Sequence, residues 1–476
     1  MEKSKLVILL RTLDAWELRN LRDLVESPFF NKQEIVLKLL DELLLILKRG
    51  EQCPSLEGMH ERIWPTLKYD HQRLRYVMTD LTRLVEQWLI QKQMARRDGL
   101  QGRLLLEGLG ERKLDKYFAQ GLEKTLDQLE KDGFRDADYH YERFRLHQLA
   151  RGFESPLPDP EGPNWAQQML DDLQHFHLGT RLRLVCDIVS RSSGQIGEDE
   201  KSLIEELRKR IGRPGVVQPS AIAVYETLLH MLSHPEPAVF YSKFRMQLRA
   251  VTGQFHREEM AELYGFALNY SVQLLNRGVE GALQDILIIY QEQLEGKILL
   301  EDGVFSAQHF KNIVTVGLRL KEYDWTRGFI ESYSKHLPEA LRLQVVTYSQ
   351  AALHYVLSEY AQCRKLLESM QFGDAVYELE GKILLMKSLY ELSAWEALSS
   401  LCDRQIRFLQ QASGLTQRQR DFHGNFVRFL KRLVDHREGR SRTPLGALIG
   451  EIEAARDASD LKWLRQKVDE AVQVRR

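Results

Sequence analysis

The side chains most capable of chemistry are scattered along this chain, and none stands in a spacing that a reaction requires. Gly108-Leu109-Gly110 comes nearest to a phosphate cradle. It lacks the third glycine and preceding strand of a dinucleotide loop, and GxxxxGK[ST] is absent, so the spacing predicts a plain loop between helices. His175-x-His177 puts two rings about 200° apart on a helix, which predicts one packed and one solvated histidine instead of a metal pair. No HExxH occurs. Asp136-x-Asp138-x-His140 begins with the rhythm of a calcium loop. It has no glycine at the sixth position and no glutamate at the twelfth. Cys53, Cys186, Cys363 and Cys402 form no CxxC or Cys/His ligand spacing, which argues against a zinc site or a disulfide framework. Cys363 and Cys402 fall where small apolar fillers are expected. Nothing selects a general acid from the 68 carboxylates. The expectation is a protein without catalytic residues, metal or cofactor.

One charge feature exceeds the background. Between Arg404 and Arg442, ten Arg and Lys face only Asp421, Asp435 and Glu438, a local excess of +7 in a chain of net charge -1. Phe422, Phe426, Phe429, Leu430 and Leu433 share one helical face and read as core. Arg428, Lys431 and Arg432 fall on the opposite face and are the candidate anion-binding residues, for nucleic acid, anionic lipid or an acidic protein tail. Solvated surface is the simpler reading of that face. Trp325 follows Tyr323 by two positions, about 200° around a helix. It either packs on a neighbouring hairpin or lies in an exposed groove as a peptide anchor.

The elements that must position these residues are helical. Thirteen prolines and thirty glycines are few for 476 residues, and Leu, Glu, Arg and Gln abound. No series of alternating Val/Ile/Thr runs predicts a sheet. Leu6 to Leu10 is too short for a secretory signal, and Ile35 to Leu47 is broken by Lys38, Asp41 and Glu42, so no membrane span and a cytoplasmic location are expected. Asp14 with Glu17, and Asn31 with Glu34, have capping-box spacing. Ser27-Pro28 ends a helix and Gly50 closes another. After Trp64-Pro65, Leu74, Val77, Met78, Leu81, Leu84, Val85 and Trp88 form the cleanest apolar stripe. Residues 1–95 read as an N-terminal helical module.

Residues 96–300 read as a central helical region with loops near 153–164 (Pro156, Pro158, Pro160 and Pro163), 190–200 and 212–219. Its stripes include Leu170, Leu173, Phe176 and His177, then Tyr225, Leu228, Leu229 and Leu232. From 301 to 436 a repeat appears. Leu320-Lys321-Glu322-Tyr323 recurs as Leu357-Ser358-Glu359-Tyr360 and as Leu392-Ser393-Ala394-Trp395, at offsets of 37 and 35 residues. Leu318 keeps step with Tyr355 and Tyr390, and Phe329 with Leu366 and Leu401. This predicts two-helix hairpins that stack on one another, with an aromatic packing back at the start of each second helix. The pattern resembles the tetratricopeptide repeat, with larger residues where that family places small ones. Residues 437–476, with Ile449, Ile452, Ala455, Leu461, Leu464 and Val468, read as an amphipathic tail that caps the last hairpin or pairs with another chain.

Glu26-Ser27-Pro28-Phe29-Phe30-Asn31-Lys32 resembles a signature of a family of large, uncharacterised helical proteins from Bacteroidota. Phe310 to Thr315 leading into Glu322-Tyr323-Asp324-Trp325, Val376-Tyr377-Glu378-Leu379, and Asn425 to Leu430 are similar to the same family. The resemblance implies a helical-repeat fold and a cytoplasmic protein, and no activity or binding residue. The expected fold is therefore all-α, an α-α superhelix of tetratricopeptide-like hairpins with an N-terminal helical module. Such surfaces bind peptides and proteins, so the expected role is a non-catalytic scaffold or adaptor for a protein or peptide partner. The alternative is nonspecific nucleic-acid or anionic-surface binding through 404–442.

Overall fold

Helix ends, more than helix interiors, organise this chain. The computed structural model describes residues 1–153, 164–191, 197–211, 220–234, 237–301, 303–370, 375–411, 415–440, 445–455 and 458–473. The proline-rich connector, most of the other two expected loops, the Val376 side chain and Arg442 lie outside the described residues. Among those described, the fold is all-α, as the composition predicts, with 23 α-helices in two compact units, Met1–Pro237 and Ala238–Arg476.

The first unit opens with α1 (Lys5–Arg11), α2 (Ala15–Glu26), α3 (Glu34–Lys48), α4 (Leu56–Ile63) and α5 (His71–Ala95). Asp14 and Glu17 form the expected capping box, a motif whose cap residue contributes about 1 kcal/mol. Gly50, at φ +67°, closes α3: its N–H donates to Leu47 O and that of Glu51 to Ile46 O, the two bonds of a Schellman stop. Asn31 does not cap α3. Its amide donates to Val25 O and Gln33 O, and its Oδ1 accepts from the Gln33 N–H, so it ties the 27–33 loop into a knot and leaves Gln33 at the cap position. One core unites the five helices, with Leu21, Leu39, Leu40, Leu74 and Leu81 fully buried.

Next come α6 (Asp98–Glu111), α7 (Asp115–Lys131), α8 (Ala137–Phe153), α9 (Trp165–Arg191), α10 (Glu198–Ile211) and α11 (Ser220–Ser233). Gly108-Leu109-Gly110 is not a loop but the last turns of α6. A Cβ on Gly110 would stand 2.2 Å from the Phe153 ring, and one on Gly102 would stand 2.4 Å from Thr125. These glycines let α6 lie close to its neighbours, which outweighs their poor helix propensity. The stripe expected on α9 is also reversed: Leu170 and Leu173 are 60% and 43% exposed, and the buried face carries Asp172, Leu178, Leu182, Val185, Cys186 and Val189. Both faces of α9 hold aliphatics at helical spacing, so periodicity alone could not choose between them.

The second unit runs through α12 (Ala238–Ala250), α13 (Arg257–Asn276), α14 (Ala282–Glu295), α15 (Ala307–Arg319), α16 (Tyr323–Tyr333), α17 (Glu339–Val356), α18 (Tyr360–Glu368) and α19 (Ala375–Glu391). It ends with α20 (Trp395–Gln411), α21 (Gln417–Arg437), α22 (Leu445–Ala454) and α23 (Leu461–Gln473). A two-stranded hairpin, β1 (Leu300–Glu301) paired with β2 (Val304–Phe305), precedes α15. It is too short to show alternation, and its signal is the Asp302-Gly303 dipeptide.

The repeated tetrapeptides are three copies of one turn. Lys321, Ser358 and Ser393 sit at φ +64°, +62° and +54°. In each copy the N–H of that residue and of the next one close a Schellman pair, as in Lys321 N–H to Leu318 O and Glu322 N–H to Gly317 O. Tyr360 then packs on Tyr355 and Trp395 on Tyr390, at centroid distances of 5.4 and 5.2 Å. The same stop appears in the first unit at Lys113, φ +55°, which no repeat in the sequence announces. Two cores run through the hairpins, and Tyr348 and Ala352 pack against both.

Candidate functional site

A cleft of the first unit lies beside the loop that joins α4 to α5. Pro65 prevents α4 from continuing, because the residue before proline is driven out of the helical region, and Trp64 adopts φ -129°, ψ 76°. Three contacts then hold the 64–70 segment against the helices. Lys38 Nζ donates to Ile63 O at 2.7 Å. The buried His60 ring lies 4.8 Å from Trp64 and 5.4 Å from Tyr69. Its Nε2 accepts the Asp70 N–H at 3.3 Å, which leaves the ring proton on Nδ1.

The result is a cleft of about 710 Å³ whose apolar lining is Ile35, Trp64, Leu67, Tyr76 and Val77. Tyr76 is 64% exposed and Leu67 46%, so the walls are apolar surface left in water. The Arg73 guanidinium sits over the Trp64 ring at 5.8 Å and is attracted by the Asp70 carboxylate. Asp70, on the same rim, accepts the N–H groups of Gln72 and Arg73 through Oδ1 at the start of α5, and these bonds, with the attraction of Arg73, hold its pKa below the usual carboxylate value. Sequence reading passed over these residues. Their signal is a loop, Trp64-Pro65-Thr66-Leu67-Lys68-Tyr69, with three large apolar side chains and no stripe to join.

The candidate anion-binding residues separate in the structure. Lys431 donates to Ser399 Oγ at 2.6 Å and to Asp403 Oδ2 at 3.1 Å. Arg432 makes a two-pronged pair with Glu451, 3.0 Å for the Nη2–Oε1 contact. Only Arg428 stays exposed without a carboxylate among the described residues, its Nη2 donating to Asn425 at 2.6 Å. Phe426, Leu430 and Leu433 are buried as expected, whereas Phe422 is 38% exposed. Trp325 packs on its own hairpin: half-buried, it stacks on Phe329 at 5.7 Å, and Phe329 stacks in turn on Tyr333 at 5.2 Å. The tail packs within its own unit. Leu464, Val468 and Ala471 join the core of α19 to α21, Trp463 Nε1 donates to Glu391, and Lys387 pairs with Asp460.

Titratable groups do gather between α8 and α9. Asp172, 4% exposed, lies 3.2 Å from His140 Nδ1, 3.0 Å from His147 Nδ1 and 3.6 Å from Arg143 Nε. Burial raises the Asp172 pKa, but the two histidines and Arg143 outweigh it and hold the carboxyl at about 2. Asp136 accepts the Tyr139 N–H at the start of α8, so the calcium-like rhythm is a helix cap. His175 is half-buried, 4.8 Å from the His140 ring, while His177 is exposed, the split that their spacing predicts. No group of three His, Cys, Asp or Glu among the described residues is placed to hold a metal ion. Cys363 and Cys402 are buried, and burial pushes their thiols up to about 11 and about 12, far from the reactive range. No helix among the described residues is long and apolar enough to cross a membrane.

No protein-family model matches the chain, and neither a curated protein nor a solved structure is significantly similar to it.

Proposed function

We propose that this chain is a non-catalytic scaffold or adaptor of the cytoplasm, built on tetratricopeptide-like hairpins, that binds a protein or peptide partner. The observation that carries this reading is the cleft beside α5, where Trp64, Leu67 and Tyr76 leave aromatic and aliphatic surface open beside Asp70 and Arg73. Clefts with apolar walls and few polar groups are where ligands settle. Two further features agree with it. Several groups suited to catalysis are spent on structure: Cys186, Cys363 and Cys402 are buried, and Asp172 is taken up by His140, His147 and Arg143. The basic face is largely neutralised from within by Asp403 and Glu451. Kinship with the Bacteroidota family belongs to the same proposal.

The test is affinity capture from native lysate, in nuclease-treated and untreated halves. Proteins retained in both halves, and lost when the bait carries Tyr76→Ser with Leu67→Ser, are the expected result. Retention that disappears with nuclease would replace this reading with nucleic-acid binding through Arg428 and its neighbours.

A further inference from the structure

We propose that the hairpin of α8 and α9 is an acid-sensitive clasp: with His140, His147 and His175 uncharged, the buried carboxylate of Asp172 ties the two helices together, and the charge these rings take up on acidification loosens α9 from α8. The placement of the rings carries this. His140 and His147 stand seven positions apart on α8, and Asp172 and His175 three apart on α9, so each pair shares a helix face. His140, His147 and Asp172 are 8%, 2% and 4% exposed, and His175 is half-buried. His140 Nδ1 lies 3.2 Å from Asp172 Oδ1, His147 Nδ1 lies 3.0 Å from Oδ2, and the His175 ring lies 4.8 Å from that of His140.

Protonation is costly in this geometry. A neutral His140 that donates from Nδ1 to Asp172 leaves Nε2 bare, and that atom is buried with no hydrogen-bond partner among the described residues. A proton there would create a charged ring with a buried N–H and no acceptor. A proton on His175 would place a second positive ring against it, and like charges so close disfavour each other. Burial first, and then His140, already hold the His175 pKa below the usual histidine value. A histidine depressed in this way contributes stability above its ordinary value and loses it as pH falls below.

Neighbouring charges are largely paired among themselves. Arg143 lies 3.6 Å from Asp172 and 3.2 Å from Glu130 of α7, and Glu130 is also bound by Arg135 and by the Tyr139 hydroxyl. From α6, Arg103 and Glu107 pair with Glu142 and Arg145 of α8. Glu206 of α10 pairs with Arg181, and α11 meets Cys186 of α9 through the Tyr225 carbonyl. Asp136, buried, accepts the Tyr139 N–H as the cap of α8. Asp171 is exposed, so water screens its attraction for His175. Asp172 therefore has three rings and a guanidinium to answer with one charge.

The experiment is hydrogen–deuterium exchange of the full-length chain, read in peptides from α8 and α9 and, as internal reference, from α3 and α5. It runs from about pH 7.5 to about pH 5.5, across the histidine range, with correction for the intrinsic pH dependence of amide exchange. Asp172 stays ionised throughout, its carboxyl being held at about 2. Protection of α8 and α9 is expected to fall against that of α3 and α5, by up to about tenfold per pH unit for each extra proton the open form binds. In His140→Gln with His175→Gln the fall should be largely gone, and in His175→Gln alone it should be shallower. A variant that is looser at every pH still reports through its slope. Protection that holds or rises toward acid pH, an equal fall in α3 and α5, or an undiminished fall in the double variant would overturn the proposal.

Discussion

Lys321, Ser358 and Ser393 each hold a left-handed backbone conformation that glycine adopts at no steric cost. A side chain at that position is tolerated because the Schellman bonds, joined behind Ser358 and Ser393 by an aromatic contact, over-determine the turn. Ser358→Gly is therefore expected to raise stability by roughly 0.5–1 kcal/mol, read as a higher urea midpoint at unchanged slope. A lower midpoint would show that the serine contributes something these contacts do not include. Asp172 gives a second prediction at this scale. Its folded-state pKa, about 2, lies below the ordinary value of 3.8, so its contribution is complete above about pH 4 and is lost as pH falls through 2. The amount is on the order of 2 kcal/mol. Urea titrations between pH 5 and about pH 2 should show a steeper acid-dependent loss for the parent than for Asp172→Asn, the difference being the Asp172 contribution. Parallel curves would mean that the carboxylate is not held by its neighbours.

A few helices in this molecule approach each other at a glycine. A Cβ on Gly317 of α15 would stand 2.3 Å from Thr326 Oγ1 of α16, and that hydroxyl is held by the Glu322 carbonyl at 2.7 Å. Gly317→Ala must push the two helices apart, at a cost of about 1–3 kcal/mol. Thr326→Ser would leave the clash, whereas Gly317→Ala with Thr326→Ala should recover most of the loss, and a double-mutant cycle in urea measures that coupling. Packing of α23 is decided by Leu464 and Val468, both fully buried. Leu464→Ala should cost about 2–4 kcal/mol. A cost under about 0.5 kcal/mol, the range of ordinary surface substitutions, would instead mean that α23 leaves this position in solution.

For the molecule as a whole, charge argues against a general polyanion binder. The net charge is -1, and two of the three cations on the α21 face are answered by Asp403 and Glu451. Fluorescence anisotropy with a labelled single-stranded RNA should therefore show weak binding that is gone by about 150 mM salt, with a shallow salt slope, since that slope counts neutralised phosphates. A steep slope that flattens in Arg428→Glu would restore the basic stretch as a binding surface.

Much of this architecture is written locally. Capping at Asp14, the stop at Gly50, the break at Pro28 and the turns after Leu320, Leu357 and Leu392 all depend on residues within six positions of one another, so composition and spacing alone determine that the chain is all-α and where many helices end. Stripes were legible where only one face is apolar, as in α5, and illegible where both are, as in α9, whose solvent face carries Leu170 and Leu173. Gly108-Leu109-Gly110 reads as a loop because the reason for Gly110, Phe153 closing on the end of α6, lies some forty residues away. The same distance hides the groups that bear on function. Asp172 meets His140 and His147 only because α9 folds back on α8, and Lys431 and Arg432 lose their freedom to acids 28 and 19 residues away. Trp64, Leu67 and Tyr76 become the walls of a cleft only once His60 and Lys38 hold the loop against the helices. Local sequence decides where helices start and stop, because those energies are local. Which faces stay open is decided by packing between distant segments, and only the tertiary structure contains that.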